Sequence, residues 1–222
     1  HPASTTTEAR SLGLKVSGTL TIENTGSIDA TGRGYLARAT YPGATGEPAP
    51  TGSAGSHIGT GGLSYGATAP AYGSVERPRE AGSGCQSAAD SKPGGGVIRI
   101  EAGTVMLGGA TAKIIANGGG GYWIGGAGGS IWISAGTVTG DGLIEAAGGT
   151  GSQARGGGGA VAIEYGMATG TALTRVNAKG GSGNSAIANG GAGTVVLKGP
   201  GATHGTLRVD NLLTTGQTTV LP

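Results

Sequence analysis

The sequence has no phenylalanine, a single cysteine and few charged residues, 14 basic against 12 acidic. One cysteine, Cys85, cannot close a disulfide within the chain, so no disulfide framework supports the fold. No apolar run approaches the roughly 18 residues that a transmembrane helix needs. The net charge is +2, and the densest basic stretch, Arg77-Pro78-Arg79, is flanked by Glu76 and Glu80. This charge distribution argues against nucleic acid as a partner.

Large aliphatic residues are also scarce. Leu, Ile and Val together number 37, whereas glycine alone accounts for 52 of the 222 residues. Such a composition is common in disordered chains, but those chains normally carry a large net charge, which is missing here. Collagen is excluded because the glycines do not recur strictly at every third position. Whether the chain folds therefore depends on the periodicity of its apolar residues.

The apolar residues do recur, in a unit of about 30 residues. A first element combines a glycine, alternating apolar positions and a final polar residue, at Gly96–Glu101, Gly129–Ser134, Gly159–Glu164 and Gly193–Lys198. A second element follows at Gly103–Leu107, Gly136–Thr139 and Gly170–Leu173, with an earlier copy at Gly18–Glu23. A third element reads apolar-x-Ala-x-Gly, at Ile28–Gly32, Ile114–Gly118, Ile144–Gly148 and Val176–Gly180, and a glycine-rich stretch follows it.

Three short β elements per unit, with no helical period between them, are typical of the coils of a parallel β-solenoid. We therefore predict an all-β, right-handed parallel β-helix, with the handedness taken from the general chirality of parallel crossovers. Stacking places Ile100, Ile133, Ile163 and Leu197 in an inward ladder and Arg99, Trp132, Ala162 and Val196 outward. The competing antiparallel sandwich gives no reason for a repeat near 30 residues.

The whole chain, 1–222, is predicted to form a single domain. The first coil covers 12–34, regular coils cover 94–200 and terminal strands cover 201–222. Residues 35–93 interrupt the repeat and contain four of the six tyrosines. Because disordered linkers are poor in aromatic residues, we predict that this excursion packs over one face of the stack, with a disordered insertion as the alternative.

Two further predictions concern the turns and the ends of the solenoid. Gly118, Gly148 and Gly180 lie at the same point of successive coils and are expected to adopt positive φ. Neither terminal segment, Leu12–Val16 or Gly205–Leu213, resembles a polar capping repeat. Because exposed strand edges pair readily with other chains, both ends are expected to meet further copies or adjoining modules.

The run Gly125–Ile133, followed by Gly142–Gly149, resembles the glycine-rich repeats of very large secreted or surface-displayed β-helix proteins. The similarity covers about residues 12–34 and 94–200. It implies an extracellular or cell-surface location and a structural role in adhesion or filament building. These implications follow from the resemblance and not from the composition.

Parallel β-helices also include polysaccharide lyases and hydrolases, whose sites need clustered carboxylates. Asp29 and Glu145 occupy equivalent positions of the third element, two coils apart, with Ile115 between them. Their separation of about 9.6 Å along the axis is near the upper limit for an inverting pair. No third acid joins them, so solvated carboxylates are the simpler interpretation. Glu164 and Lys198 are expected to form an exposed ion pair between neighbouring coils.

Three aromatic residues, Tyr122, Trp123 and Trp132, are candidates for stacking against sugar rings, with packing beneath the excursion as the alternative. His57 and Cys85 could form a thiolate–imidazole pair, although a buried thiol is the simpler interpretation. No phosphate-binding or dinucleotide-binding glycine motif is present, and no metal or cofactor is predicted. The sequence thus predicts a non-catalytic structural or adhesive module. The alternative is a β-helix protein that binds or cleaves carbohydrate, with surface polysaccharide as its ligand.

Overall fold

The computed structural model describes residues 2–5, 8, 10–40, 52–86, 92–183 and 185–221. Within them lie ten strands and one short 3-10 helix, Ala172–Arg175. The strands are β1 (Leu12–Ile22), β2 (Ser27–Asp29), β3 (Val97–Leu107), β4 (Lys113–Ile115), β5 (Ser130–Gly140), β6 (Leu143–Glu145), β7 (Ala160–Ala168), β8 (Val176–Asn177), β9 (Thr194–Lys198) and β10 (Thr206–Arg208).

Equivalent strands of successive coils stack in parallel into two sheets. The first sheet has the order β1-β3-β5-β7-β9-β10, and the second has the order β2-β4-β6-β8. Every pairing except that of β10 with β9 is parallel. The predicted β-solenoid is therefore confirmed, with about three turns.

The first and second sequence elements form one strand, not two. β3 and β5 each run through 11 residues. The β3 residues in the main core are Ile98 and Ile100 before Gly103 and Val105 and Leu107 after it. The inward-facing positions therefore change from even to odd residue numbers. The strand turns a corner at this glycine and supplies two walls of the coil.

The apolar core fills the space between these walls and the second sheet. Ile100, Ile133 and Ile163 have no exposed surface, as the inward ladder predicted. Leu197 is only partly buried, because β9 is followed by β10 and not by another full coil. Ala162 is outward-facing yet only 1% exposed, because the excursion covers this part of the sheet.

The glycine-rich stretches have no assigned strands, but their backbone hydrogen bonds follow a three-residue period. From Gly125 onward, successive N–H groups donate to Ala154, Gly119, Ser83, Gly157, Ala116 and Gly96. The first and fourth donors therefore meet one neighbouring segment and the second and fifth meet another, whereas the third meets the excursion and the sixth the preceding coil. From Arg155 onward the acceptors are Ala188, Gly149, Gly55, Gly191, Ala146 and Gly129, with the same period. A threefold period without internal hydrogen bonds is that of polyproline II-type helices, which here pack side by side.

This packing explains the glycines and corrects the prediction about their φ angles. Gly118, Gly148 and Gly180 do not lie in the left-handed region. A Cβ atom at these positions would be 2.0, 1.9 and 2.2 Å from the carbonyl oxygens of Gly126, Gly156 and Gly190, respectively. Glycine is required because neighbouring backbones touch, not because a turn needs positive φ.

The described part of the excursion belongs to the same packing. Residues 52–62 are buried throughout. Gly55 N–H donates to Gly125 O and Gly59 N–H donates to Gly158 O, so this segment lies among the glycine helices of the coils. Residues 41–51 and 87–91 of the excursion lie outside the described residues.

The C-terminal segment contains the short strand β10 and then folds back over the last coil, although it does not resemble a polar capping repeat. β10 pairs antiparallel with β9. The chain then turns through Leu212 and Leu213, whose φ angles are 49° and 65°. Asn211 Oδ1 accepts the Gly180 N–H at 2.7 Å, which fastens the returning chain to the last coil.

Candidate functional site

The outward face of the first sheet carries two rows of side chains that run along the solenoid axis. One row contains Gly13, Arg99, Trp132, Ala162 and Val196, which are paired across successive strands. The second contains Lys15, Glu101, Ser134, Glu164 and Lys198. We call this face the outer groove and the second row its polar row. Its side chains face outward because residues two apart in a strand share a face.

Ion pairs and one cation–π contact organise the outer groove. Lys15 Nζ lies 3.2 Å from Glu101 Oε1. Arg77 Nε, which comes from the excursion, lies 3.6 Å from Glu164 Oε1, so Glu164 pairs with Arg77 and not with Lys198 as predicted. The Arg99 guanidinium lies 5.1 Å from the Trp132 ring centroid.

Three cavities are distributed along this face. A cavity of about 470 Å³ is lined by Lys15, Arg99 and Glu101 near β1. A second, of about 300 Å³, has Val196 and Lys198 in its floor and Arg77 in its wall. A third, of about 310 Å³, is lined by residues from Ser134 to the turn after β9, among them Glu164, Lys198 and Gly199–Ala202. Together the three cavities border all five parallel strands, although Trp132 lines none of them.

The predicted carboxylates do not come together. Asp29, Ile115 and Glu145 are in register on β2, β4 and β6, so Ile115 separates the two acids as expected. Asp29 Oδ1 accepts the Thr31 N–H at 2.7 Å. Glu145 Oε1 accepts a hydrogen bond from Asn117 Nδ2 at 2.8 Å. Asp29 therefore stabilises its own turn and Glu145 links its coil to the preceding one, and a catalytic role for them remains a prediction.

The three candidate aromatic residues occupy two different places. Tyr122 and Trp123 lie at the tip of a glycine-rich loop, 72% and 45% exposed, with their rings edge to face at 4.5 Å. Trp132 is half-buried in the outer groove. The intervening extended chain rises about 3 Å per residue, which separates the loop tip from the groove. Only Trp132 lies among other polar side chains of the groove.

His57 and Cys85 are both fully buried in different surroundings. Cys85 packs with Ala54, Ile124 and Ala154. His57 Nδ1 lies 3.0 Å from Gly128 O, and since a carbonyl only accepts, Nδ1 carries the proton. The thiol is buried, in agreement with the simpler interpretation of the sequence.

The sequence pattern identifies the polar residue that ends each first element. It does not show that these residues line one groove. Lys15 was missed because β1 had been divided into two segments. Aligning Leu14-Lys15 with Ile100-Glu101 would have placed it in the polar row. Glu76 and Arg77 were missed because they lie in the excursion, where no repeat predicts their position.

Acid is expected to destabilise the fold through His57. Burial lowers the pKa of this imidazole from 6.5 to about 4, although the Glu80 charge and backbone contacts oppose the shift. Below pH 6.5 the unfolded chain therefore binds a proton at His57, whereas the folded chain does not. The contribution of neutral His57 to the free energy of unfolding is fully present above pH 6.5. The free energy of unfolding then falls by about 3 kcal/mol as the pH approaches 4. Urea unfolding between pH 7 and 4 measures this loss.

Glu80 adds to the loss at lower pH. Burial alone would raise its pKa, but hydrogen bonds from the Arg79 and Ser74 groups outweigh burial and lower it. Its stabilisation is therefore lost as the pH falls below 4.5. His57→Gln should flatten the profile between pH 6.5 and 4.5, whereas His204→Gln, at an exposed position, should leave it unchanged. Identical profiles for both variants would contradict the assignment to His57.

Within the described ranges, no group of three or more His, Cys, Asp or Glu side chains is arranged to hold a metal ion. The same residues include no helix with the length and apolar character needed to cross a membrane. Comparison with known protein families, curated proteins and solved structures finds no match.

Proposed function

We propose that this chain is a non-catalytic structural module of a secreted or cell-surface protein, and that another β-solenoid coil stacks on its N-terminal edge. The observation that supports this function most directly is that β1 is an edge strand. It is the first strand of its sheet, 11 residues long, and in the described residues its outer edge has no partner strand. A long unpaired edge of this kind is a template for another strand.

The side chains at this end are suited to such a contact. Leu14, Leu20 and Ile28 pack against the core but are only partly buried, so a further coil would complete their burial. A Cβ atom at Gly13 or Gly18 would have no other atom within 4 Å, which leaves room for an approaching backbone. Burial of apolar surface and pairing of the edge would both stabilise the contact.

The opposite end limits growth to one direction. The antiparallel β10 covers β9, so a parallel coil cannot be added there in the same register. The expectation of head-to-tail stacking through both ends is therefore replaced by stacking through the N-terminal edge alone. This arrangement suits the last module of a longer solenoid.

The isolated chain is expected to dimerise, because a second copy is the only partner available to its β1 edge. Sedimentation velocity at increasing concentration should show a monomer–dimer equilibrium without larger species. The double variant Gly13→Asp/Gly18→Asp should be monomeric, because charges block edge pairing and neither position is sterically restricted.

Gln153→Asp introduces a similar charge at an exposed loop tip and should leave the dimer intact. A chain that remains monomeric at every accessible concentration would contradict the proposal. So would a dimer that survives both glycine substitutions, since its contact would lie elsewhere.

Carbohydrate binding is the second candidate function. The observation that favours it is the set of cavities along the polar outer groove, with Trp132 on β5, the middle one of the five parallel strands. It is compatible with a structural role, because the groove is the outward face of the sheet, whereas a stacking coil would pair with the backbone edge of β1.

A further inference from the structure

We infer that the outer groove is a binding site for a linear, uncharged glycan that lies along the solenoid axis. This inference goes beyond the structural role proposed above. It is based on the spacing of the polar row, its charge pattern, the Trp132 ring and the walls of the groove.

The spacing of the polar row fits an extended sugar chain. Its five side chains stand on neighbouring strands, which are about 4.8 Å apart, so the row spans about 19 Å. The glycosyl units of an extended glycan repeat at a similar interval, and each unit can therefore meet an equivalent position. An extended peptide rises about 3.3 Å per residue and would lose this register.

The charges in the row favour a neutral ligand. Its cationic side chains, Lys15 and Lys198, stand at the two ends, whereas Glu101 and Glu164 flank Ser134 at the centre. Carboxylates accept strong hydrogen bonds from hydroxyl groups. Lys15 and Arg77 already pair with these two glutamates, so a carboxylate-bearing sugar above Ser134 would have to compete with them for the same cations. The centre of the row therefore selects hydroxyl groups over acidic groups.

Trp132 supplies the apolar surface that a sugar ring requires. Its ring is half-buried, and its Nε1–H is buried without a hydrogen-bond partner in the described residues. Arg99, an exposed side chain, lies over the ring. An exposed cation–π contact is worth only about 0.5–1 kcal/mol, so a sugar ring can displace the guanidinium from the ring face.

Residues outside the parallel strands form the sides of the outer groove. Glu76 and Arg77 of the excursion border its C-terminal cavity, and the turn Gly199–Ala202 closes the region beyond Lys198. At the other end, near β1, Ser11 and Gly13 border an open cavity. A ligand longer than the five strands can therefore leave the groove at the N-terminal edge.

Isothermal titration with linear hexasaccharides tests the inference on the whole chain. The probes are neutral hexamers of glucose, mannose and xylose, together with hexagalacturonate as the acidic probe. At least one neutral hexamer should bind with a Kd below about 1 mM. Hexagalacturonate should bind at least about tenfold more weakly, because of the two central carboxylates.

Two variants locate the ligand. Trp132→Ala should weaken binding of the neutral hexamer about tenfold, with the folded state checked by circular dichroism. Trp123→Ala removes an exposed tryptophan from the loop tip and should have no effect. The double variant Glu101→Gln/Glu164→Gln should weaken the neutral hexamer and strengthen hexagalacturonate, a change of preference that simple loss of structure cannot produce.

Three outcomes would overturn the inference. They are no binding of any neutral hexamer, preferred binding of hexagalacturonate to the unmodified chain, and loss of binding in Trp123→Ala but not in Trp132→Ala. Dimerisation is measured without ligand, so these failures are distinguishable from failure of the proposed structural role.

Discussion

Ile133→Asp is expected to leave the chain unfolded in buffer without denaturant. Ile133 has no exposed surface and is paired with Ile100 and Ile163 in neighbouring coils. The new carboxylate would therefore be surrounded by apolar side chains and have no partner for its charge. Burial of an unpaired charge costs several kcal/mol, which is comparable with the whole stability of a domain, about 5–15 kcal/mol. Circular dichroism and thermal melting measure the result.

Thr137→Asp is the matched control, since it places the same side chain on the same strand at a partly exposed position. It should fold and melt within a few degrees of the unmodified chain. If Ile133→Asp melts like this control, the inward ladder is assigned to the wrong face of β5.

Gly148→Ala is expected to be among the most damaging single-methyl changes in the glycine-rich part of the coils. The added Cβ would lie 1.9 Å from Gly156 O, so the two backbones would have to separate by more than 1 Å to reach a normal contact. This movement would also strain the bond from Gly148 N–H to Lys179 O, which is 2.9 Å long. We expect a loss of about 3 kcal/mol in the free energy of unfolding, measured by urea denaturation.

Gly18→Ala is the appropriate comparison, because a Cβ at Gly18 has no other atom within 4 Å. It should be neutral or stabilise the chain by about 0.5 kcal/mol, since alanine restricts the unfolded state. Equal losses in both variants would show that glycine matters for its flexibility and not for close backbone contact.

The solenoid itself could be predicted from the sequence because stacking repeats the same local demand in every coil. The inward isoleucines, such as Ile100 and Ile133, recur at fixed positions, and one register satisfies all of them. Sequence periodicity does not distinguish two short strands from one strand that bends at Gly103. It also missed the outer groove, because Arg77 reaches Glu164 from a segment without any repeat.

The glycine segments and the ends could not be predicted for different reasons. In a polyproline II-type segment the side-chain pattern carries no information when most residues are glycine, and the three-residue period is visible only in the hydrogen bonds. The folding back of the C-terminal segment depends on individual contacts, such as that of Asn211 with Gly180. Nothing in the local alternation of Thr206–Arg208 indicates an antiparallel partner.

The threefold hydrogen bonding also restricts how these segments can change in length during evolution. In the segment from Gly125, removal of one residue would turn every later residue by about 120°, so that its N–H would face a different neighbouring segment. Removal of three residues would restore the original directions. Insertions and deletions within the glycine segments are therefore tolerated only as whole turns, so homologous sequences should differ there by multiples of three residues.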